Sequence, residues 1–215
     1  MATTAALVPA VPGHATTTPA PSPRFGPCPE SMPGPDSPDR VECGWLSVPL
    51  DREHPDGERI SIAVSRVRAS GPPEERRGIL LMNPAGPVAL GWRTPSPNGP
   101  SCPSAFAAPT TSSTSTRGTG QSAPADCGPM GGLFDNPGAE PVPSGHTAEK
   151  AYLDSLRRMA DDCAAGVGDA PAHLSTTQTA RDMDAIRSAL GERRIDFLGV
   201  SCGSYLGAAY AAPFP

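Results

Sequence analysis

A serine between glycines near the carboxyl end of the sequence has the spacing of a catalytic nucleophile. Ser201 is the central residue of Gly-Val-Ser-Cys-Gly, residues 199–203, which fits the pattern G-x-S-x-G. The apolar stretch 194–200 predicts a strand before the motif, and the small residues of 204–212 predict a helix after it. In that context the pattern predicts a sharp turn that exposes the serine hydroxyl at the carboxyl end of a strand.

The residues around this serine have expected roles of their own. Gly199 and Gly203 lack side chains, which lets a strained turn pass close to its neighbours. The backbone N–H of Cys202, at the start of the predicted helix, would supply half of an oxyanion hole. The alternative is an ordinary glycine-rich turn between a strand and a helix, because the bare pattern also arises by chance.

Three stretches in the first half of the chain predict strands. Apolar residues alternate along 59–68, and 41–50 precedes it across a predicted turn at 54–57. This pattern is typical of a half-buried antiparallel pair. The short apolar run 78–82 follows a charged loop and predicts a buried central strand.

Two helices are predicted between these strands and the motif. Apolar residues recur at helical spacing in 147–167. Thr176 or Thr177 is predicted to cap a second helix, which runs through Leu190 and has Gly191 as its stop. A strand, a helix and a further strand in this order predict a parallel α/β sheet behind an antiparallel start.

The stretch 88–116 has a composition that fits neither a strand nor a helix. It contains one charged residue, Arg93, and 16 of its 29 residues are Ser, Thr or Pro. We therefore expect no regular element in it. A structureless loop of this length inside a compact domain is unusual, which indicates that the stretch is aberrant.

Composition and charge exclude several classes of function. The 215 residues carry a net charge of -5 and no basic tract longer than two adjacent arginines, so no surface for nucleic acid is expected. No run approaches the roughly 20 apolar residues that a membrane span needs. Because no Cys-x-x-Cys or His-x-x-x-His spacing occurs, we expect no metal site, and nothing in the sequence indicates a cofactor.

The cysteines and the amino-terminal residues favour an exported protein. Six cysteines in a chain of this size favour an oxidising compartment, and we expect disulfides between Cys28 and Cys43 and between Cys127 and Cys163. The alternative is six free thiols. Residues 1–27 resemble the end of a signal peptide followed by a Pro/Thr-rich linker, with a disordered leader as the alternative.

From Cys43 onward the chain resembles a branch of the α/β-hydrolases, the secreted tripeptidyl aminopeptidases and proline iminopeptidase-like enzymes. The matching segments are ECG with VPLD, TARDMD with IR, and LGVSCGSYLGAAYAAPF, at residues 42–44 with 48–51, 179–184 with 186–187, and 198–214. The resemblance implies the amino-terminal part of an α/β-hydrolase domain over 28–215. It also implies a peptide substrate, with Ser201 attacking a carbonyl near the free amino end to form an acyl-enzyme.

One segment departs from the family pattern. Where these enzymes have Asn-Pro-Gly-Gly-Pro-Gly in the oxyanion loop, residues 83–88 read Asn-Pro-Ala-Gly-Pro-Val, which leaves Gly86 as the candidate oxyanion-loop residue. The resemblance then disappears until Arg117. Removing one C from a GC-rich coding string converts the family segment into residues 83–91. In the other frame, 110–116 permits Asp-Leu-Val-Asp-Val-Asp, the acidic-ended strand that the resemblance implies before Arg117. We therefore hypothesise a frameshift, compensated near Arg117, that makes 85–116 aberrant, with a natural Ser/Thr-rich insertion as the alternative.

The other two members of a catalytic triad are not found. A serine hydrolase needs a base and an acid, and in this fold the chain order is Ser, then Asp or Glu, then His. None of the 14 residues after Ser201 is Asp, Glu or His. The histidines that precede it are expected in loops or at helix ends: His14, His54, His146 and His173. The chain is therefore predicted to be part of a longer enzyme and to be catalytically deficient alone.

Two other functions stay open. An α/β-hydrolase esterase or amidase would share the fold and Ser201. The fold alone does not separate it from a peptidase, because the substrate pocket of such an enzyme is built largely from other regions. A non-catalytic secreted fragment belongs to another class. It would use the Pro/Thr-rich leader and the 88–116 stretch as linkers around a small binding module.

Overall fold

The strands of the protein form one mixed sheet. The computed structural model describes residues 22–29, 41–69, 72–83, 110–114, 116–125 and 143–215. Within these ranges the strands are β1 (Gly26–Pro27), β2 (Val41–Pro49), β3 (Arg59–Val67), β4 (Ile79–Asn83), β5 (Thr110–Thr114) and β6 (Ile195–Gly199). Their spatial order is β1-β2-β3-β5-β4-β6. Neighbours are antiparallel as far as β5 and parallel from β5 to β6.

β2 and β3 form the antiparallel pair that the alternation predicts. Their register runs from Val41 opposite Val67 to Pro49 opposite Arg59. In the connection, the N–H of Gly57 donates to the carbonyl of His54 at 3.0 Å, which closes the predicted turn. Residues 62–65 of β3 are all buried, so this strand is more enclosed than a half-buried strand.

β4, β5 and β6 are parallel, so their carboxyl ends meet at one edge of the sheet. β4 lies between the other two, with Leu80 opposite both Thr111 of β5 and Asp196 of β6. The end of β2 reaches the same edge, because β2 is antiparallel to β3 and β3 is antiparallel to β5. We call this the carboxyl edge, and the strand ends at it are Pro49, Asn83, Thr114 and Gly199.

The strand β5 contradicts the expectation that 88–116 contains no regular element. Its backbone pairs with β3 on one side and with β4 on the other. Backbone N–H and C=O groups inside a sheet need partners, and these two ladders supply them whatever side chains are attached. Threonine is also β-branched and favours strands. Composition alone was therefore a poor guide to the secondary structure of 110–114. Residues 84–109 lie outside the described residues.

Three α-helices lie in the described ranges, each within two residues of its predicted bounds. They are α1 (His146–Val167), α2 (Thr176–Ala189) and α3 (Cys202–Ala211). The prediction that Thr176 or Thr177 caps α2 is wrong, because the cap is Ser175, whose side chain accepts from the N–H of Gln178. A capping side chain belongs to the residue just before the helix and accepts from an amide two or three positions ahead. Because α2 begins at Thr176, the cap is the preceding residue. Gly191 follows the helix with φ of 73°, as expected for its stop.

The core lies between the sheet and two of the helices. α2 buries Ala180, Met183 and Ile186, and α3 buries Leu206 and Tyr210 against them. The sheet contributes Leu46, Val48, Ile62, Val64, Ile79 and Leu81. In contrast, α1 buries none of its residues and contributes none to this core cluster.

Disulfides join parts of the described chain. Cys28 and Cys43 are bonded, with Cα atoms 4.9 Å apart, which is the pair we expect from the sequence. Cys163 on α1 is also disulfide-bonded. Because Cys127 lies outside the described residues, the pairing of Cys127 with Cys163 stays a prediction. Six free thiols are excluded, although Cys202 is free and exposed.

Candidate active site

Ser201 forms the tight turn between β6 and α3. The strand ends at Gly199 and the helix begins at Cys202, so only Val200 and Ser201 separate them. Ser201 has φ 55° and ψ -120°, a conformation that residues with a side chain rarely adopt. Such a conformation costs about 1–3 kcal/mol, so the surrounding structure must hold it. Ser201 itself is exposed.

Close backbone contacts explain both glycines of the motif. A Cβ on Gly203 would lie 2.5 Å from the carbonyl oxygen of Asn83, and a Cβ on Gly199 would overlap the carbonyl of Gly203. The N–H of Val200 also donates to the carbonyl oxygen of Asn83 at 3.0 Å. The end of β4 therefore packs backbone to backbone against the turn and holds Ser201 in its conformation.

The first turn of α3 presents a backbone donor next to Ser201. Gly203 N–H donates to the carbonyl of Val200, and Ser204 N–H donates to that of Ser201, both at 2.9 Å. The N–H of Cys202 is the first amide of the helix, so the helix itself offers it no acceptor. The positive end of the helix dipole lies at the same point and favours negative charge there.

Asn83, the last residue of β4, was not among the predicted site residues. Its backbone oxygen is the acceptor for Val200, while its side-chain Oδ1 is buried and has no hydrogen-bond partner among the described residues. A buried amide oxygen without a donor costs about 1–3 kcal/mol. Its place at the end of a buried strand, just before the expected oxyanion loop, was the available signal. Gly86 of that loop lies outside the described residues.

The described histidines lie in a turn and at helix ends. His54 is in the turn after β2, His146 is the first residue of α1, and His173 ends the 3-10 helix Ala170–His173. In the part of the chain that the structure covers, no hydrogen bond joins Ser201 to a histidine. The described residues therefore contain no hydrogen-bonded pair of Ser201 and a histidine. His14 lies outside the described residues.

Asp51 and His54 shift the pKa values of each other. The hydrogen bond from His54, with Nδ1 2.6 Å from Asp51 Oδ2, lowers the pKa of the Asp51 carboxyl, and the N–H of Glu53 adds to this effect. The same bond raises the pKa of His54. The His54 side chain is 79% exposed, so this is a surface ion pair and we assign it no catalytic role.

The described ranges contain neither a metal-binding cluster nor a membrane-spanning helix. No group of His, Cys, Asp and Glu side chains there is arranged to hold a metal ion. None of the helices described above is long and apolar enough to cross a bilayer.

A buried ion pair at the carboxyl edge was also missed from the sequence. Arg117 follows β5, and its guanidinium pairs with Asp182 of α2. The helical spacing was the available signal, because it places Asp182 beside Ala180 and Met183 on the buried face of α2. A carboxylate on such a face requires a cationic partner.

Comparisons with known proteins return hydrolases. No protein-family model matches the chain. A tripeptidyl aminopeptidase of Streptomyces coelicolor is 38% identical over 183 residues, which cover 83% of this chain and 34% of the relative. Serine protease Hip1 of Mycobacterium tuberculosis is 31% identical over 200 residues, covering 88% of this chain and 36% of the relative. Carboxylesterase B of the same species is 33% identical over 166 residues, which cover 69% of this chain and 29% of the relative.

The chain spans about a third of the length of the curated relatives it matches. Their names are those of an aminopeptidase, a serine protease and an esterase, all of which are hydrolases. The similarities support a place for this chain among the serine peptidases and related hydrolases. The mixed sheet, with antiparallel and parallel parts, is consistent with that relationship.

Proposed function

We propose that this chain carries the nucleophile of a serine exopeptidase. The enzyme would release short peptides or amino acids from the free amino end of peptide substrates, through an acyl-enzyme on Ser201. The observation that carries the proposal is the backbone of Ser201, held at φ 55° between a strand and a helix by close contacts with its neighbours. The tripeptidyl aminopeptidase and serine protease relatives support the same activity.

The strand order supports an α/β-hydrolase fold for this enzyme. β4 lies between β5 and β6, so the chain passes from β4 to one neighbour and later returns on its other side. Open α/β sheets bind ligands outside the carboxyl ends of their strands, near such a switch in strand order. Ser201 lies two residues after the carboxyl end of β6, at this switch.

In the proposed reaction, a base removes the proton of Ser201 Oγ while that oxygen attacks the carbonyl carbon of the substrate. The resulting oxyanion accepts hydrogen bonds from Cys202 N–H and from the loop after β4, where Gly86 is the candidate. One such donor contributes about 3–4 kcal/mol to the transition state. The amine then leaves with a proton, and water hydrolyses the acyl-enzyme. This chemistry needs no cofactor.

The base and the acid of this reaction are not assigned to any residue of the chain. We propose that the 215 residues are the nucleophile-bearing part of a longer enzyme and are catalytically deficient alone. We also propose that the enzyme is exported. The Cys28–Cys43 disulfide and the disulfide-bonded Cys163 fit an oxidising compartment.

Substrate kinetics test this proposal. The complete gene product, with the reading frame of 85–116 restored, is expected to hydrolyse tripeptidyl or aminoacyl arylamides, and Ser201→Ala should lower kcat by a factor of about 10⁶. Ser61→Ala is the matched control, because Ser61 is exposed on β3, away from the turn, and its replacement should leave kcat unchanged. Hydrolysis that survives Ser201→Ala would show that another residue is the nucleophile.

An esterase or amidase is the second candidate, and the similarity to carboxylesterase B favours it. Both candidates use Ser201, so only the substrate separates them. Comparing kcat/KM for p-nitrophenyl esters with that for arylamides decides between them. A product that hydrolyses neither substrate would support a non-catalytic secreted protein.

A further inference from the structure

Arg117 lies at the carboxyl edge with all five of its N–H donors in use. Nε and Nη2 donate to the two carboxylate oxygens of Asp182, at 2.7 and 2.8 Å. Nη1 donates to the carbonyls of Leu50 and His173, at 2.8 and 2.9 Å, and Nη2 also donates to that of Pro49 at 3.4 Å. The Arg117 side chain is fully buried. Only a guanidinium offers five donors in one fixed plane.

These hydrogen bonds join four segments that are distant in the sequence. Arg117 lies in the loop after β5, Leu50 follows β2, His173 precedes α2 and Asp182 lies within α2. Arg52 brings a second guanidinium to Asp182. The cluster therefore fixes the first half of α2 against the carboxyl edge of the sheet.

α2 in turn supports the helix that follows Ser201. Met183 and Ile186 share one core cluster with Leu206 of α3. Phe197 of β6 fills the space beneath α3, because a Cβ on Gly207 would lie 2.6 Å from its ring. The ion pair and the turn are thus linked by continuous packing.

A narrow cavity provides the second link between the ion pair and the turn. Arg117 and Asp182 line it together with Asn83 and Phe197. Its volume of about 10 Å³ leaves room for a single water at most. The carbonyl oxygen of Asn83 accepts a hydrogen bond from the N–H of Val200. Movement of the residues that line the cavity with Asn83 would therefore displace the turn directly.

We propose that Arg117 and Asp182 are positioning residues for the turn of Ser201. They hold α2, and through it α3 and Asn83, in the arrangement that keeps Ser201 at positive φ. The catalytic consequence of this role rests on the proposed function. The effect on the geometry of the turn does not.

Cys202 gives a readout of the turn that does not depend on catalysis. Its thiol is free, exposed and adjacent to Ser201. The rate of alkylation by iodoacetamide, resolved by mass spectrometry at the peptide that contains Cys202, therefore reports the geometry of the turn. Arg117→Lys is the test variant, because lysine keeps the charge and loses the planar set of five donors.

Arg66→Lys is the matched control. Arg66 lies on β3, near the end of that strand away from the carboxyl edge, and its Nε donates to Glu42 Oε2 at 2.8 Å. Both variants are compared at urea concentrations that give equal free energies of unfolding. We expect Arg117→Lys to change the Cys202 alkylation rate by about 2-fold to 30-fold and Arg66→Lys to leave it unchanged.

Equal alkylation rates in the two variants would overturn the proposal and leave Arg117 a purely structural role. If Arg117→Lys does not fold, Asp182→Glu provides the second test, since it keeps the charge and displaces the carboxylate by one methylene. An unchanged rate in that variant would also overturn the proposal.

In the complete gene product, labelling of Ser201 by a fluorophosphonate should slow in parallel. Failure of the unmodified protein to label would contradict the proposed function, while the Cys202 rates would still decide the positioning role.

Discussion

Ser201 occupies a conformation that glycine adopts easily and serine does not. Its φ of 55° and ψ of -120° place it among the sparsely populated backbone regions. The contacts of Asn83 with Val200 and Gly203 leave the turn no room to relax. Backbone strain of this kind clusters at functional sites, which fits the role proposed for the exposed hydroxyl.

Replacing this serine by glycine should therefore stabilise the fold. We expect Ser201→Gly to raise the free energy of unfolding by about 1 kcal/mol, because the strain of a side chain at positive φ is removed. Ser204→Gly, inside α3, should instead lower it by about 0.5–1 kcal/mol. Urea unfolding of the two variants measures both changes. A loss of stability in Ser201→Gly would show that the turn is not strained.

Gly203 should tolerate no side chain. Its Cβ would lie 2.5 Å from a backbone oxygen that is itself held in β4, so Gly203→Ala is expected to cost about 1–3 kcal/mol in unfolding free energy. Gly26→Ala is the control, because no atom lies within 4 Å of the added Cβ. That variant should change stability by less than about 0.5 kcal/mol. Equal effects in thermal unfolding would contradict the close approach of β4 to α3.

The Asp51–His54 pair should contribute to stability in a limited pH window. The pKa of Asp51 is lowered, so its contribution is present above the unfolded value of about 3.9 and is lost as the pH falls through the folded pKa. The pKa of His54 is raised, so its contribution is present below about 6.5 and is lost as the pH rises through the folded pKa. In an NMR titration, Asp51→Asn should lower the pKa of His54. An unchanged pKa would show that the pair does not form in solution.

Elements were predictable from sequence where the signal was local. The helical spacing of α2 and the apolar run of β6 fixed both elements to within two residues, because each buries one continuous face or strand. Composition missed β5, since the position of this strand depends on backbone pairing with β3 and β4, which are distant in the sequence. Ser175 was missed as a cap because several neighbouring residues could serve, and only the geometry of the first turn selects one.

The residue types of β5 lead to a prediction about this strand. All five residues, Thr110–Thr114, carry hydroxyls, although the strand is paired on both sides. We expect Ser112→Val or Ser113→Val to raise the free energy of unfolding by up to about 1 kcal/mol, because valine favours strands. Urea unfolding measures the change. If neither variant is more stable, the strand is adapted to hydroxyl residues and the frameshift hypothesis loses support.

The DNA sequence tests the frameshift hypothesis directly. Resequencing from the codon of Asn83 through that of Gln121, and on beyond Pro215, should reveal a base that restores Gly-Gly-Pro-Gly after Asn-Pro. An unchanged frame would make 85–116 a natural Ser/Thr-rich insertion.

At the scale of the whole molecule, the carboxyl edge gathers residues that the sequence keeps far apart. The local motif predicted the tight turn at Ser201 between Gly199 and Gly203, because the turn uses consecutive residues. Asn83 and the Arg117–Asp182 pair were not predictable in this way. Each of these residues contacts a partner that is tens of residues away in the sequence, and the contact depends on which strands become neighbours. The matched residues cover only about a third of the length of these relatives.

The most direct test of the central claim is to identify the residue that a fluorophosphonate probe modifies. In the complete gene product we expect one adduct, located by mass spectrometry on the peptide that contains Ser201. The isolated chain of residues 1–215 should stay unlabelled, because no base is assigned within it. An adduct on another residue, or arylamide hydrolysis without any adduct, would contradict the assignment of Ser201 as the nucleophile.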